Sequence, residues 1–379
     1  MPRDCTDVKP PTRVLFCCTG IGVCNRGVES FMREVFDGLK TSRELSATMI
    51  KGSGQQTDAE RVAVCFPRTG RMAKLLGPIV QRSAYTVEQL SSFPFVANYI
   101  RRVRPDVVFY HDAALGFQLY RWRRRIGVPF RLLFSNGGPC RPPFDRTDFV
   151  HHAAPYYFDQ AIRAGEEPAR HFMIPQGISL CDPPVVDAAR RRELRERLGI
   201  PAERPVVLSV GWISREHKRM HYVIEELSRL RQPRPFLQML GEIDDSSRDV
   251  LCLAENLLGA GNYSARSVPY HEVSQFYRAA DVFVLASLQE GFGRVYVEAL
   301  MHGLPVLAHR HPVMEYVLGE IGHLGDFSRN GNLTEALGKV LLQPNDGQRM
   351  FERWTNVRDR FSWNALAPKY VAMLHAVAK

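Results

Sequence analysis

The chain has 379 residues, which is enough for two domains of the usual size. Its apolar fraction of 45% and charged fraction of 24% are ordinary for a soluble globular protein, and no segment approaches the ~20 apolar residues of a membrane-spanning helix. The net charge of +10 is uneven, because residues 1–180 hold 25 Lys and Arg against 16 Asp and Glu, a net of +9.

The N-terminal segment, MPRDCTDVKP, is polar and lacks the apolar stretch of a secretory signal. The chain has eight cysteines, with no C-x-x-C pair and no Cys/His spacing of the kind that binds zinc. These observations predict a cytoplasmic protein with reduced thiols and no metal or other cofactor.

The first half begins as an α/β unit. Residues 13–18 (RVLFCC) predict a buried parallel strand, and a helix follows with Phe31, Val35 and Leu39 on one face. Glycines lie between them, at positions 20, 22 and 27. A strand, a glycine-rich loop and a helix are the first unit of a doubly wound domain.

Three more strands are predicted in this half, over residues 106–110, 130–134 and 171–174. The apolar spacing of residues 87–103 suits a helix, which Pro94 is expected to kink or split.

Two basic runs stand out, RRVR at residues 101–104 and RWRRR at residues 121–125. Nucleic acid, an anionic membrane surface or an acidic acceptor would each suit such charge, and a solvated helix surface would also explain it. No nucleic-acid motif accompanies the runs, so we predict no nucleic-acid partner. Peripheral contact with the inner face of an anionic membrane is a hypothesis.

The α/β alternation restarts after a break at residues 175–184, which contain PQG and CDPP. Residues 188–198 predict a charged helix that ends at Gly199, and the later strands are predicted over residues 205–210, 236–240, 280–285 and 304–308. The chain therefore holds two doubly wound α/β domains in tandem. Ligands of such sheets bind at the carboxyl ends of the strands, which predicts a site in a cleft between the domains.

The segment with the clearest chemistry is residues 290–298, EGFGRVYVE, between a strand and a helix that starts near Arg294. The N-terminus of a helix offers unpaired N–H groups to a phosphate. Glu290 and Glu298 flank those groups, and carboxylates accept hydrogen bonds from sugar and ribose hydroxyls. A surface loop with two solvated glutamates is the alternative interpretation.

This segment resembles the E-x7-E region of glycosyltransferase family 4, which are retaining enzymes of GT-B fold. Other stretches resemble the same family, at residues 174–178 (IPQGI), 268–281, 314–317 and 361–363, together with Tyr370. The resemblance implies two Rossmann-like domains facing across a cleft, an acceptor-side domain at residues 1–182 and a donor-binding domain at 183–360. It also implies a C-terminal helix, residues 361–379, that crosses back to the first domain.

The resemblance implies roles for individual residues. Glu290 would bind hydroxyls of the transferred sugar, Glu298 would bind the ribose, and Val268 would lie near the base. The backbone after Glu290 would hold the sugar and the diphosphate, through Gly291, Phe292, Gly293, Arg294 and Val295.

A second motif is VGWISREHKR at residues 210–219. The family usually has Gly-Arg here and a lysine a few residues later. Gly211 and Lys218 fit that pattern, and Lys218 would neutralise the departing diphosphate. Trp212 stands where the arginine is expected, so Arg215 or Arg219 would have to supply the second positive charge.

The first-domain loop, with GIG at residues 20–22 and RGVE at 26–29, resembles the family's glycine-rich turn. That turn reaches the diphosphate through Gly22. A dinucleotide site is disfavoured, because the third glycine of G-x-G-x-x-G is missing. Many members have a histidine after the strand of residues 130–134, where this chain has Ser135 and Asn136. The acceptor-side candidates are Asn25, Gly27, His111, Ser135 and Asn136.

The predicted function is retaining, metal-independent transfer of a sugar from a UDP- or GDP-sugar to a hydroxyl of a small-molecule, glycan or lipid-linked acceptor. Glu290 and Lys218 are the candidate catalytic residues. A nucleotide-sugar epimerase, a sugar phosphorylase and a non-catalytic nucleotide-sugar-binding protein are the alternatives.

Overall fold

The computed structural model describes residues 10–24, 26–138, 140–343 and 345–379. The chain divides into two compact units. The first unit is Met1–Ile178 with Trp363–Lys379, and the second unit is Ser179–Ser362. The sequence places these divisions at 182/183 and 360/361.

The first unit is built on a parallel sheet. Its strands are β1 (Thr12–Cys18), β2 (Leu45–Lys51), β3 (Glu60–Val62), β4 (Val107–Tyr110), β5 (Arg131–Asn136), β6 (Phe149–His152) and β7 (His171–Met173). In the described part of this unit the order is β3-β2-β1-β4-β5-β6-β7. The sequence predicted β1, β4, β5 and β7. It missed β2, β3 and β6, which are partly polar or only a few residues long.

Helices cover this sheet: α1 (Gly27–Leu39), α2 (Arg71–Ile79), α3 (Ala84–Val103), α4 (Ala113–Ile126) and α5 (Pro155–Arg163). Phe31, Val35 and Leu39 are all buried, as predicted for α1. Of the kink or split predicted at Pro94, the split is wrong, because α3 continues through that proline. Proline removes one backbone hydrogen bond, and the packing of α3 between α2 and α4 keeps the helix intact.

The second unit is also built on a parallel sheet. Its strands are β8 (Val206–Val210), β9 (Phe236–Leu240), β10 (Tyr263–Arg266), β11 (Val282–Leu285), β12 (Val306–His309) and β13 (His323–Gly325). The order among the described residues is β10-β9-β8-β11-β12-β13. The predicted strands are β8, β9, β11 and β12. The four-residue β10 and the three-residue β13 were missed.

The helices of this unit are α6 (Ala188–Leu198), α7 (Met220–Ser228), α8 (Arg248–Leu258), α9 (Val273–Ala279), α10 (Arg294–Met301), α11 (Pro312–Leu318), α12 (Asn332–Leu341) and α13 (Gly347–Phe361). α6 has the predicted bounds. Asp187 caps it by accepting from the Arg190 N–H at 2.9 Å, and Gly199 ends it in the left-handed conformation. Two doubly wound parallel sheets confirm the predicted fold class.

The last helix, α14 (Trp363–Ala378), belongs to the first unit. Leu366, Leu374 and Val377 are buried against the core of β1 and α1. The Tyr370 hydroxyl donates to the Pro175 carbonyl at 2.9 Å. Within the described ranges, we find no helix whose length and apolar character would let it cross a membrane.

Candidate functional site

The carboxyl edge of the second sheet exposes apolar side chains where the chain leaves successive strands. Trp212 follows β8, Ile243 follows β9, Tyr270 follows β10 and Leu288 follows β11, and each is between 37% and 48% exposed. The carboxyl edge of a parallel sheet is where α/β proteins bind ligands. Partly exposed aromatic and aliphatic side chains at that edge suit a ligand with a flat ring system.

The loop from β11 to α10 supplies the backbone of this site. α10 starts at Arg294, as predicted, and the Tyr296 N–H in its first turn donates to the Gly293 carbonyl at 3.0 Å. The amides of a first helical turn point away from the helix, toward the loop that precedes it. Gly293 precedes it with a φ of +80°, where a side chain is strained. A Cβ there would lie 2.6 Å from Cδ2 of Tyr296, so the tight turn that presents these amides requires glycine.

Lys218 and Glu290 meet at this loop. The Lys218 Nζ donates to the Glu290 Oε1 at 2.6 Å, which joins the end of the β8 loop to the start of the β11 loop. The Glu290 side chain is only 6% exposed, whereas the Lys218 side chain is 20% exposed. The structure therefore brings the two candidate catalytic residues together as a largely buried ion pair.

The position of Lys218 depends on close packing of two glycines. Its stem passes Gly211, where an added Cβ would lie 3.1 to 3.3 Å from three of its carbons. Gly241 supports the same turn from β9, since a Cβ there would lie 1.8 Å from the Gly211 carbonyl oxygen. Two backbone segments thus approach each other beneath Lys218 with no room for a methyl group.

Glu298 lies on α10 and is 6% exposed. The Tyr270 hydroxyl donates to its Oε1 at 3.1 Å, and the Tyr277 hydroxyl lies 3.1 Å from its Oε2. Burial raises the pKa of Tyr277 well above its usual value, so this hydroxyl stays a donor. Glu298 is therefore held as a hydrogen-bond acceptor in an enclosed environment.

His302 lies one helical turn beyond Glu298 and contacts its backbone carbonyl. Its Nδ1 lies 2.7 Å from the Glu298 carbonyl, which can only accept, so Nδ1 carries the proton. Its Nε2 then accepts from the Ser274 hydroxyl at 2.8 Å. The Tyr277 ring stacks on the imidazole with ring centroids 5.0 Å apart.

No role was predicted for Tyr270, Tyr277 or His302. One signal was present: the two tyrosines are seven residues apart, which places them on the same face when the intervening residues are helical. Nothing in the sequence indicated that this face would meet Glu298.

The two arginines considered as replacements for the missing family arginine have different environments. The Arg219 Nη1 donates to the Phe327 carbonyl at 2.6 Å and to the Ala286 carbonyl at 3.3 Å, and its guanidinium covers the Tyr222 ring. Arg219 therefore ties loops of the second unit together. Arg215 is exposed and remains the candidate for the second positive charge.

Other predicted donor-side residues lie along the same edge of the second sheet. Val268 is half-buried after β10, and Val295 is half-buried in the first turn of α10. The Phe292 ring packs edge-on against Phe361, with centroids 5.6 Å apart, and the Arg294 side chain is buried. The Phe292 ring thus packs within the second unit.

In the first unit, Gly22 lies in the loop after β1, Gly27 is the first residue of α1, and Asn25 lies outside the described residues. Asp112, which follows β4, holds this loop. Its Oδ2 accepts from the Thr19 N–H at 2.7 Å and lies 2.9 Å from the Thr19 hydroxyl oxygen, and burial raises its pKa. Asp112 is therefore a buried support of this loop.

The same loop is held by a buried guanidinium. Arg68 donates to the Glu88 Oε1 at 2.6 Å and to the Glu29 Oε1 at 3.2 Å. The Glu88 Oε1 also accepts from the Thr19 hydroxyl at 2.9 Å. This network fixes the chain after β3 against the chain after β1, at the carboxyl edge of the first sheet.

The remaining acceptor-side candidates are His111, Ser135 and Asn136. The Ser135 side chain is fully buried, and its hydroxyl lies 3.2 Å from the His151 Nδ1. The His111 Nδ1 donates to the Ser135 carbonyl at 2.8 Å. Asn136 donates to the Cys140 carbonyl at 3.1 Å, and its buried Oδ1 has no hydrogen-bond partner among the residues that the structure describes. Ser135 thus packs within the sheet, while His111 and Asn136 stay acceptor-side candidates.

The basic runs lie away from these residues. Arg101 is in the last turn of α3, and Arg123, Arg124 and Arg125 are in the last turn of α4. Helices of βαβ units run antiparallel to their strands, so both runs lie at the amino edge of the sheet. Arg101 donates to the Arg125 carbonyl at 2.7 Å. The runs therefore do not contribute to the loops that follow β1, β4 and β5.

Comparison with known proteins gives a match over residues 190–356 to the family described as Glycosyl transferases group 1. The lipopolysaccharide core biosynthesis glycosyltransferase LpsE of Rhizobium meliloti (strain 1021) is 30% identical over 183 residues, 48% of this chain and 52% of the relative. The alpha-monoglucosyldiacylglycerol synthase of Streptococcus pneumoniae (strain ATCC BAA-255 / R6) is 28% identical over 172 residues, 44% of this chain and 39% of the relative. The chain spans about half the length of the curated relatives it matches.

Among solved structures, HepE of Anabaena in complex with UDP and glucose has a TM-score of 0.74 to this chain at 17% identity. The similarity covers 96% of this chain and 100% of HepE. Such a likeness establishes the fold, namely the two Rossmann-like domains that GT-B glycosyltransferases share.

Proposed function

We propose that this protein is a retaining glycosyltransferase that transfers a sugar from a UDP- or GDP-sugar to a hydroxyl acceptor without a metal ion. The observation that carries the proposal is the Lys218–Glu290 ion pair, 2.6 Å long, in which Glu290 belongs to the loop that leads into α10. A cation suits a phosphate, a carboxylate suits sugar hydroxyls, and the N-terminus of a helix suits a diphosphate, so this combination supports a nucleotide-sugar site.

The comparisons support this proposal. The family match covers α10 and the loop of Lys218, and HepE, a fold neighbour, was solved with UDP and glucose. On this basis Glu290 binds hydroxyls of the transferred sugar, Glu298 binds the ribose, and the bases of both UDP and GDP remain candidates beside Val268 and Tyr270.

The proposed reaction needs position and charge stabilisation more than a strong base. The bond between the sugar carbon and the phosphate oxygen loosens, and Lys218 with the α10 amides stabilises the negative charge that develops on the diphosphate. The acceptor hydroxyl attacks the sugar carbon on the same face. Its proton passes to the departing phosphate oxygen, and attack on the same face retains the configuration.

The acceptor is proposed to be a small molecule, a glycan or a lipid-linked molecule that approaches His111, Asn136 and the loop of Gly22. Separately from the transfer reaction, peripheral contact with an anionic membrane at its cytoplasmic face is proposed, and the net charge of +9 on residues 1–180 supports it.

The test is turnover of the variants Lys218→Ala and Glu290→Ala with a nucleotide-sugar that a thermal-shift screen identifies as a ligand. We expect each variant to lose about 10²–10³ in turnover, the effect of one lost transition-state contact. The control pair is Lys339→Ala and Glu335→Ala, which breaks an exposed ion pair on the same unit.

Turnover within threefold of the wild type in both site variants would remove the assignment of these residues. Isomerisation of the donor sugar in the absence of an acceptor would identify an epimerase instead. Tight donor binding with neither transfer nor hydrolysis across an acceptor panel would identify a binding protein.

A further inference from the structure

The chain between β3 and α3 exposes an unusual number of apolar side chains. Val64, Phe66, Met72, Leu75, Ile79 and Val80, here called the apolar patch, are between 41% and 75% exposed. A run of large exposed apolar residues on one short segment marks an interaction site.

The geometry of α2 concentrates this surface. At 3.6 residues per turn, Met72, Leu75 and Ile79 project within about 60° of arc. Ala73 and Gly77 face the protein and are buried. The helix thus lies on the protein by its small residues and presents its large apolar side chains to the solvent.

The charge of the same segment is of one sign. Residues 61–82 contain Arg61, Arg68, Arg71, Lys74 and Arg82, and no Asp or Glu. The Arg68 side chain is buried and already paired with Glu29 and Glu88, so it does not contribute charge to this surface. Arg71, Lys74 and Arg82 are exposed and flank the apolar patch. An apolar stripe beside cations matches the boundary between acyl chains and anionic headgroups.

We propose that the apolar patch docks the protein on an anionic lipid bilayer, with Met72, Leu75 and Ile79 inserted among the acyl chains and with Arg71, Lys74 and Arg82 at the headgroups. A second copy of the chain is a poorer occupant, because a two-fold contact would bring the same cations against each other.

The apolar patch lies close to the loop where the acceptor is proposed to bind. The chain after β3 lies at the carboxyl edge of the first sheet, and Arg68 ties it to Glu29 in the first turn of α1, which follows the loop after β1. A bilayer at the patch would therefore lie next to the proposed acceptor-side loop. The hypothesis that the acceptor is lipid-linked rests on the proposed function, whereas the docking itself rests on the apolar patch and its flanking cations.

The experiment is co-sedimentation of the full chain with phosphatidylcholine vesicles, with and without phosphatidylglycerol, at low and high salt. We expect binding that needs the anionic lipid and weakens with salt. Leu75→Ser/Ile79→Ser should lower the partition coefficient by about tenfold or more. Arg71→Gln/Lys74→Gln should lower it roughly fivefold for each charge removed.

Matched controls lie elsewhere on the chain. Val185→Ser/Leu342→Ser removes two apolar side chains that are 81% and 87% exposed. Arg102→Gln/Arg124→Gln removes two exposed charges at the amino edge of the first sheet. Both should bind vesicles like the wild type. Equal losses in the two charge pairs, or unchanged binding in Leu75→Ser/Ile79→Ser, would overturn the proposal.

Two further measurements separate the alternatives. Sedimentation velocity without vesicles that shows a dimer lost in Leu75→Ser/Ile79→Ser would assign the patch to self-association and overturn bilayer docking. A thermal shift with the nucleotide-sugar should be the same in that variant and the wild type. Vesicle binding without any nucleotide-sugar binding would sustain the docking and contradict only the proposed function.

Discussion

At the scale of single residues, the donor-side unit uses paired contacts to hold its carboxylates. Glu290 meets an ammonium group and Glu298 meets two phenol hydroxyls, and both carboxylates are 6% exposed. Buried carboxylates are tolerated when each has donors. The contacts around them can therefore be tested by stability as well as by activity.

Tyr277→Phe removes a donor next to a buried carboxylate. Hydrogen bonds to charged groups contribute about 1.5–3 kcal/mol, so we expect the free energy of unfolding to fall by that amount. Tyr270→Phe removes the matching hydroxyl from a side chain that is 48% exposed, where water can replace it, and should cost about 1 kcal/mol or less. Urea unfolding of both variants measures the difference, and equal losses would contradict this account.

At the scale of elements, the loop after β8 is positioned by the loop after β9. Gly241→Ala places a methyl group where the Gly211 carbonyl oxygen lies, since the built Cβ is 1.8 Å from it. The backbone that carries Lys218 must shift. We therefore expect a loss of about 2 kcal/mol or more in stability, within the range of strained and overpacked substitutions, together with weaker nucleotide-sugar binding.

Gly338→Ala is the control for that prediction. Gly338 lies inside α12, and an added Cβ there has no neighbour within 4 Å. Alanine should stabilise that helix by about 0.5–1 kcal/mol and leave nucleotide-sugar binding unchanged. Thermal unfolding measures the stability of both variants, and a binding isotherm measures their affinity for the nucleotide-sugar. A tolerated Gly241→Ala would show that the two loops adjust freely.

The sequence predicted those elements whose signal is local. The apolar run of β1 and the Asp187 and Gly199 boundaries of α6 needed no knowledge of distant contacts. α3 was predicted less well, because its passage through Pro94 depends on packing against α2 and α4. The outward face of α2 could not be predicted either, since Met72 and Leu75 look like core residues until the fold shows Ala73 and Gly77 on the buried side.

In the candidate site, too, the features with a local sequence signal were predicted and the features that depend on distant contacts were not. Glu290, Lys218 and the start of α10 follow from a motif with fixed spacing. The hydroxyls on Glu298 come from residues 21 and 28 positions away, and the carbonyl partners of Arg219 are 67 and 108 positions away. Contacts over such separations depend on the tertiary fold, which a single sequence does not display.

At the scale of the whole molecule, buried neutral histidines occur in both units. Burial lowers the pKa of His151 and of His302 to about 4, and that of His152 to about 3. The unfolded chain binds these protons near pH 6.5, before the folded chain does. Stability should therefore be complete above about pH 6.5 and should fall as the pH drops toward 4, by up to about 3 kcal/mol for each histidine.

His302→Gln tests this dependence in the second unit. The variant should lose some stability at pH 7, because the Ser274 and Glu298 contacts change, but its stability should decline less steeply between pH 6.5 and pH 4. His271→Gln is the control, since the His271 side chain is 82% exposed. Apparent free energies of unfolding from urea titrations at several pH values provide the measurement. Parallel curves for the wild type and His302→Gln would contradict the assignment.

The Lys218–Glu290 contact has a consequence for ligand discrimination on the proposed function. A free phosphate could take the ammonium group only by leaving the carboxylate without its cation, and a free sugar could take the carboxylate only by leaving the ammonium group without its anion. Each such exchange carries a desolvation cost. A molecule that offers a phosphate and a hydroxyl together compensates both groups at once. The closed ion pair therefore favours binding of a nucleotide-sugar over binding of a free phosphate or a free sugar.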